Sequence, residues 1–172
     1  PAQHSGQVVE AGHDDAGVVA SGTAVASGLL QATDIDTGSV LSWSVQGNPS
    51  TSYGSFALDA SSGAWTYTLN NSLAAVDAMG EGQSVTQSFQ TRVTDQFGAT
   101  ADQTVAVTVI GTNDRPTASN WTASTTENAS VSGTLPAAQD IDGSVVAYQL
   151  VAGPGAGNGS AVVNSNGTFV FN

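Results

Sequence analysis

Apolar and polar positions alternate with a period of two along most of this chain. The clearest runs are Leu41, Trp43 and Val45; Trp65, Tyr67 and Leu69; and Val105, Val107 and Val109. Successive side chains of a strand point to opposite faces, so each run predicts a half-buried β-strand. Turn signals separate the runs, among them Asp59-Ala60-Ser61-Ser62-Gly63 and Asp95-Gln96-Phe97-Gly98. Loops this short join antiparallel neighbours, so the sheets are expected to be antiparallel. Between Ser72 and Met79 the spacing changes to three, with Leu73, Val76 and Met79 in step, which predicts a short helical turn between strands. Little other helix is expected.

The pattern then repeats. Ser27-Gly28-Leu29-Leu30, Asp34-Ile35-Asp36 and Val40 to Val45 return as Ser132-Gly133-Thr134-Leu135, Asp140-Ile141-Asp142 and Val145 to Leu150. Gly63-Ala64-Trp65-Thr66-Tyr67 returns as Gly167-Thr168-Phe169-Val170-Phe171, aromatic matched to aromatic on the inward face. Glu10 corresponds to Glu127, and Pro1 to Pro116. One unit therefore spans about 115 residues, giving a complete module over residues 1–115 and the first half of a second over 116–172. Nothing in the second copy corresponds to residues 71–115, so at least one pair of strands is expected to be missing and a sheet edge left open to recruit other strands.

Composition narrows the chemistry. Fourteen Asp and Glu stand against two basic residues, Arg92 and Arg115, for a net charge of −12, yet only 9% of residues are charged. A nucleic-acid partner is excluded on this balance, because phosphate binding needs clustered Lys and Arg. An excess of anions favours cationic partners, of which a divalent metal is the simplest. Cysteine is absent, so no disulfide or thiolate site contributes and a metal must be held by oxygen. No stretch approaches the roughly 18 apolar residues of a membrane span. Pro1 opens the chain without a basic, apolar leader, as expected of a segment of something longer.

The acids cluster in predicted loops: the Asp34/Asp36 and Asp140/Asp142 pairs, single turn carboxylates, and Asn113-Asp114 at the module boundary. Calcium takes six to eight oxygen ligands, and loops that converge short carboxylates and carbonyls supply them. An Asp-x-Asp pair turns two carboxylates toward one ion while the intervening Ile35 or Ile141 faces the core. Other readings are weaker. Asp59 and Asp102 read as turn formers. Asp14 and Asp15 beside His13 form either a local site or a solvated loop. Ser residues accompany His4 and His13, but no Gly-x-Ser-x-Gly elbow supports a nucleophile, and paired carboxylates without a cleft do not make a glycosidase. The Gly153 to Gly159 stretch lacks the Lys and ensuing helix of a phosphate loop. Trp43, Trp65 and Tyr67 read as core, and Trp121 is open to a ligand-stacking role.

Taken together, Ala32-Thr33-Asp34-Ile35-Asp36, Tyr53 to Asp59, Gly63 to Leu69, Val93-Thr94-Asp95-Gln96-Phe97-Gly98 and Gly111-Thr112-Asn113-Asp114-Arg115-Pro116 resemble the bacterial cadherin-like repeats, of the VCBS type, found in very large RTX-type surface adhesins. The resemblance implies an all-β fold: an immunoglobulin/cadherin-like antiparallel β-sandwich in tandem modules, the second truncated. It also implies calcium (Ca2+) at the junctions between modules. Transferred residue by residue, Glu10 and Asp95 would come from the lower end of module one, Asn113 and Asp114 from the linker, and Asp140 and Asp142 from the upper loops of module two. Asp34 and Asp36 would form a weaker site serving a preceding module, and Glu127 a junction below module two. Gly111 departs from the pattern, standing where a further acid often occurs. The implied function is a non-catalytic, calcium-stiffened extender of a bacterial cell-surface adhesin, secreted and partnered by neighbouring repeats of the same polypeptide. Two alternatives stay open: an adhesive module for a glycan or cell-surface protein, and a filament or sheath subunit that self-associates by strand exchange through the open second module.

Overall fold

The computed structural model describes residues 2–14, 17–36 and 38–172; Pro1, Asp15, Ala16 and Thr37 lie outside the described residues. The chain divides into two compact units, Pro1–Asp114 and Arg115–Asn172.

Unit 1 contains β1 (Ser5–Val9), β2 (Gly12–His13), β3 (Val19–Ala20), β4 (Val25–Leu29), β5 (Ser42–Gln46), β6 (Gly54–Leu58), β7 (Ala64–Leu69), α1 (Ala74–Asp77), β8 (Ser84–Thr94) and β9 (Thr100–Ile110). Each alternating run found in the sequence falls in a strand, except that Leu41 lies just before β5, and the three-residue spacing between Ser72 and Met79 brackets α1. One sheet has the order β1-β9-β8-β5, another β4-β7-β6, and β2 and β3 form a small hairpin. All pairs are antiparallel except β1 with β9, which run parallel. Short turns force antiparallel neighbours only between strands adjacent in sequence. The first and last strands of the unit are joined through the whole module, so no turn constrains their direction.

The two larger sheets bury one core. Val8, Phe56, Trp65, Tyr67, Phe89, Val105, Val107 and Val109 are all buried, and Phe56 from one sheet stacks on Phe89 from the other with ring centroids 4.4 Å apart. Burying an aromatic or branched side chain of this size stabilises a fold by about 1.5–3 kcal/mol. The largest of them, Trp65, fits because its cross-strand partner is Gly28. A Cβ on Gly28 would lie 2.7 Å from the indole. The buried indole N–H is satisfied by the carbonyl of Gln3 at 2.8 Å.

Unit 2 contains β10 (Val131–Thr134), β11 (Ala161–Val163) and β12 (Thr168–Phe171), in the order β10-β12-β11. This is the order of β4-β7-β6, and the register matches as well: Gly133 stands opposite Phe169 as Gly28 stands opposite Trp65, and a Cβ on Gly133 would lie 2.9 Å from the Phe169 ring. The repeat in sequence is thus a repeat in structure. The inward residues Val131, Ala161, Val163, Phe169 and Phe171 are only half-buried, and among the described residues the fully buried apolar side chains all belong to unit 1. Trp121 packs edge-on against Phe169 at 4.9 Å and stays 45% exposed.

The counterpart of β5, Val145 to Leu150, forms no strand. In unit 1, β5 is held by its ladder to β8, and no equivalent of β8 is present among the described residues of unit 2. Its Tyr148 is tied down in another way. The ring hydroxyl donates to the Pro136 carbonyl at 3.2 Å and accepts the Ala138 N–H at 2.7 Å.

Candidate metal centre

The end of β1 places Glu10. Its backbone N–H donates to the Ile110 carbonyl at 2.9 Å, prolonging the pairing of β1 with β9 by one residue. Its side chain turns inward and is 1% exposed. Thr112, just past β9, meets it twice: the Thr112 N–H donates to the Glu10 carboxylate at 3.1 Å, and the Thr112 hydroxyl donates to the Glu10 carbonyl at 3.0 Å. A charge-assisted backbone bond of this kind holds a buried carboxylate in one orientation.

Asp114 follows two residues later on the same connector. The connector is pinned on both sides: the His13 N–H donates to the Asn113 carbonyl at 2.6 Å, and the Asn113 N–H donates to the Glu81 carboxylate at 3.1 Å. The Asn113 amide itself donates to the Asp114 carbonyl at 2.9 Å. The third acid is Asp77, at the end of α1. Burial of Val76 and Met79 anchors that turn, and the Ala11 N–H donates to the Asn71 side-chain oxygen at 3.0 Å, tying the segment before α1 to the residue after Glu10.

One carboxylate oxygen from each of Glu10, Asp77 and Asp114 lies within 4.8 Å of the others, with Glu10 buried and the other two half-exposed. Oxygens bound to one calcium ion at 2.3–2.6 Å are separated by at most about 5 Å. The donor set is therefore of the right type and spacing for a hard divalent cation.

Asp77 did not stand out in the sequence, because it lies inside the helical turn and away from the acidic loop motifs. The signal that could have found it is that turn itself, whose buried face at Val76 fixes which side the next residue occupies.

Asp95 requires a correction. It sits in the turn between β8 and β9, whereas Glu10 lies beside the opposite end of that hairpin, where Ser84 pairs with Ile110. Strands of this length separate the two by on the order of 30 Å, so Asp95 and Glu10 do not share an end of the module. The Asp95 carboxylate instead accepts the N–H groups of Phe97 and Ala99 at 2.9 and 2.8 Å, and it lines a small cleft with Asp34. The Asp34 carboxylate accepts the Asp36 N–H at 2.9 Å. That bond turns the loop so that Ile35 is 98% exposed rather than facing the core, and Ile141 is 56% exposed.

In unit 2 the Asp140 carboxylate accepts the Gly143 N–H at 3.1 Å, and the strand-like exchange of Gln139 with Thr117, at 2.7 and 2.9 Å, fixes the start of the loop. Asp142 is half-buried in the same loop.

Three further acids, Asp59, Asp102 and Asp14, have structural partners. The Asp59 carboxyl is held well below the usual carboxylate range, first by the Ser61 and Ser62 hydroxyls and then by their N–H groups. Asp102 lies within β9 rather than in a turn and forms a two-pronged ion pair with Arg92 at 2.6 and 2.8 Å. That pair lowers the Asp102 pKa and raises that of Arg92. The Asp14 carboxylate accepts the Val18 N–H at 2.8 Å in the β2–β3 turn beside His13, and Asp15 lies outside the described residues.

Gly111 has a steric explanation. Its N–H donates to the Gln83 carbonyl at 2.8 Å, and a Cβ there would lie 2.5 Å from the Met79 backbone carbonyl. The connector crosses the segment after α1 too closely for any side chain, acidic or otherwise.

A two-sheet sandwich with three carboxylates converging beside its last strand defines an immunoglobulin-like β module with an acidic pole. Residues 7–111 match the bacterial cadherin-like domain family and residues 113–172 the bacterial Ig domain family. The chain belongs to the bacterial cadherin-like family, continued by an Ig-like segment. No curated protein matches it. Domains of these kinds are typically extracellular, non-catalytic structural modules, and cadherin-like domains generally bind calcium. Among the described residues no helix is long and apolar enough to cross a membrane.

Proposed function

We propose that this chain is a non-catalytic, calcium-stiffened extender of a bacterial surface adhesin, exported and working in series with neighbouring repeats of its own polypeptide. The observation that carries this reading is the convergence of Glu10, Asp77 and Asp114 from three separate segments of unit 1. Calcium bound there neutralises adjoining negative charges and cross-links the end of β1, the end of α1 and the exit connector. Asp114 is the last residue of unit 1, so an ion on its carboxylate immobilises the point from which the chain leaves. Arg115 precedes Pro116, which restricts Arg115 to extended conformations and shortens the free connector further.

With calcium at ten to a hundred times its dissociation constant, one site stabilises the fold by about 1.4–2.7 kcal/mol. Extracellular modules commonly bind with constants near 10⁻⁴–10⁻³ M, so the effect belongs to millimolar calcium. The test is calcium titration by calorimetry, with thermal melts in calcium and in chelator. Binding that vanishes in Glu10→Gln and a melting temperature raised by calcium are expected. A melting temperature indifferent to chelation would remove the basis of the reading. Parallel titrations of Asp140→Ala and Asp142→Ala report whether the second unit contributes oxygen donors.

The half-buried inward face of the β10-β12-β11 sheet favours a second reading, in which unit 2 self-associates with other chains. Sedimentation over a wide concentration range decides it: a constant mass would dismiss the filament alternative.

A further inference from the structure

Unit 2 carries two Asn-Gly dipeptides, Asn158-Gly159 and Asn166-Gly167. In both, glycine has no Cβ to obstruct approach of its backbone nitrogen to the preceding carboxamide carbon, so the two are nearly equal in intrinsic reactivity. The fold makes them unequal. At Asn166 the side-chain oxygen accepts the Thr168 N–H at 3.1 Å and the Thr168 hydroxyl at 2.7 Å. The Gly167 N–H donates to the Asn164 carbonyl at 2.9 Å, and Gly167 is buried. Electrophile and nucleophile are both held apart.

At the other dipeptide, every residue from Gly153 to Ser160 is exposed. Among the described residues no hydrogen bond holds the Asn158 carboxamide or the Gly159 N–H, and Gly159 adopts φ +97°. The adjoining backbone is anchored, since the Ser160 N–H donates to the Asn172 carbonyl at 2.7 Å and the Ser160 carbonyl accepts the Asn172 N–H at 2.9 Å. The loop is thus fixed at its exit and by the Asn158 backbone N–H, which donates to the Gly155 carbonyl at 3.0 Å, while the reacting carboxamide and the Gly159 N–H have no hydrogen bond among the described residues.

We propose that Asn158-Gly159 is a spontaneous deamidation site, selected over Asn166-Gly167 by the folded structure. The Gly159 backbone nitrogen loses its proton to solvent base and attacks Cγ of Asn158. The new N–Cγ bond forms as the Cγ–Nδ2 bond breaks, and ammonia leaves with a proton returned from solvent. The succinimide then takes up one water molecule and opens at either carbonyl, to aspartate or to isoaspartate. No oxidant or reductant is required. The product adds a carboxylate to a cleft that Asn158 lines together with Glu127 and Phe171, and the isoaspartate form lengthens the main chain by one methylene before Ser160.

The test is incubation of the full chain at mildly alkaline pH in ¹⁸O-water, natively and in denaturant, followed by peptide mapping. In the native chain Asn158 is expected to convert at least roughly tenfold faster than Asn166, whose reaction must await local opening. In denaturant the two rates should converge. Equal native rates, or a preference unchanged by denaturant, would overturn the proposal. Thr168→Val, which removes one restraint on Asn166, should accelerate conversion there alone; an unchanged Asn166 rate in a folded variant would also count against it.

Discussion

Replacing Asp77 with Asn separates the metal reading from a merely structural role for the acidic pole, because the two predict opposite signs. The substitution keeps shape and removes one negative charge from a group whose oxygen lies within 4.8 Å of oxygens from Glu10 and Asp114. Two unit charges about 4 Å apart interact by about 1 kcal/mol in a water-like dielectric, and Asp77 is half-exposed, so screening leaves a few tenths to about 1 kcal/mol of relieved repulsion. In chelator the variant should therefore be slightly more stable than the parent chain. In millimolar calcium the parent gains about 1.4–2.7 kcal/mol from the ion, most of which the variant forgoes, so it should be the less stable of the two. For a domain of this size about 1 kcal/mol corresponds to roughly 3–6 °C in melting temperature, which places the crossover within reach of circular dichroism melts. A shift of the same sign and size with and without calcium would refute the reasoning, because it would mean that Asp77 contributes to packing or to the end of α1 and not to an ion site.

Three other expectations follow from the core and the turns. Gly28→Val forces a Cβ to 2.7 Å from the Trp65 indole and should destabilise unit 1 by about 1–3 kcal/mol or more in urea unfolding. Gly111→Asp adds the acid that the family pattern often has, yet its Cβ would meet the Met79 carbonyl at 2.5 Å; lowered stability with no gain in calcium affinity by calorimetry is the expected result. Asp59→Ala removes a carboxylate whose folded pKa is depressed by hydrogen bonds from Ser61 and Ser62. A depressed carboxylate stabilises above its unfolded pKa, so the loss should be full at neutral pH and shrink as the pH falls below about 4; a difference that grows on acidification would contradict the assignment.

Much of the fold was legible because its causes are local. Period-two runs mark strands wherever one face is buried, and turn signals such as Asp59 to Gly63 and Asp95 to Gly98 mark where they reverse. The match between Gly28 opposite Trp65 and Gly133 opposite Phe169 was foreshadowed by the sequence repeat, which returns Ser27-Gly28 as Ser132-Gly133 and Gly63-Ala64-Trp65 as Gly167-Thr168-Phe169. Glu10 and Asp114 could be named from the resemblance alone. Their companion could not, and Asp95 was assigned to the wrong end of the module.

Sequence by itself settled that runs such as Trp65 to Leu69 and Val105 to Val109 are strands, that a block of the pattern occurs twice, and that the chain carries an excess of anions suited to a cation. Only the tertiary structure decided which anions meet. Glu10, Asp77 and Asp114 come together because β1 lies parallel on β9, because Val76 buries one side of α1, and because Gly111 lets the connector pass against Met79. Those pairings join residues far apart in the chain, and hydrophobic periodicity, which reads only neighbours, is blind to them.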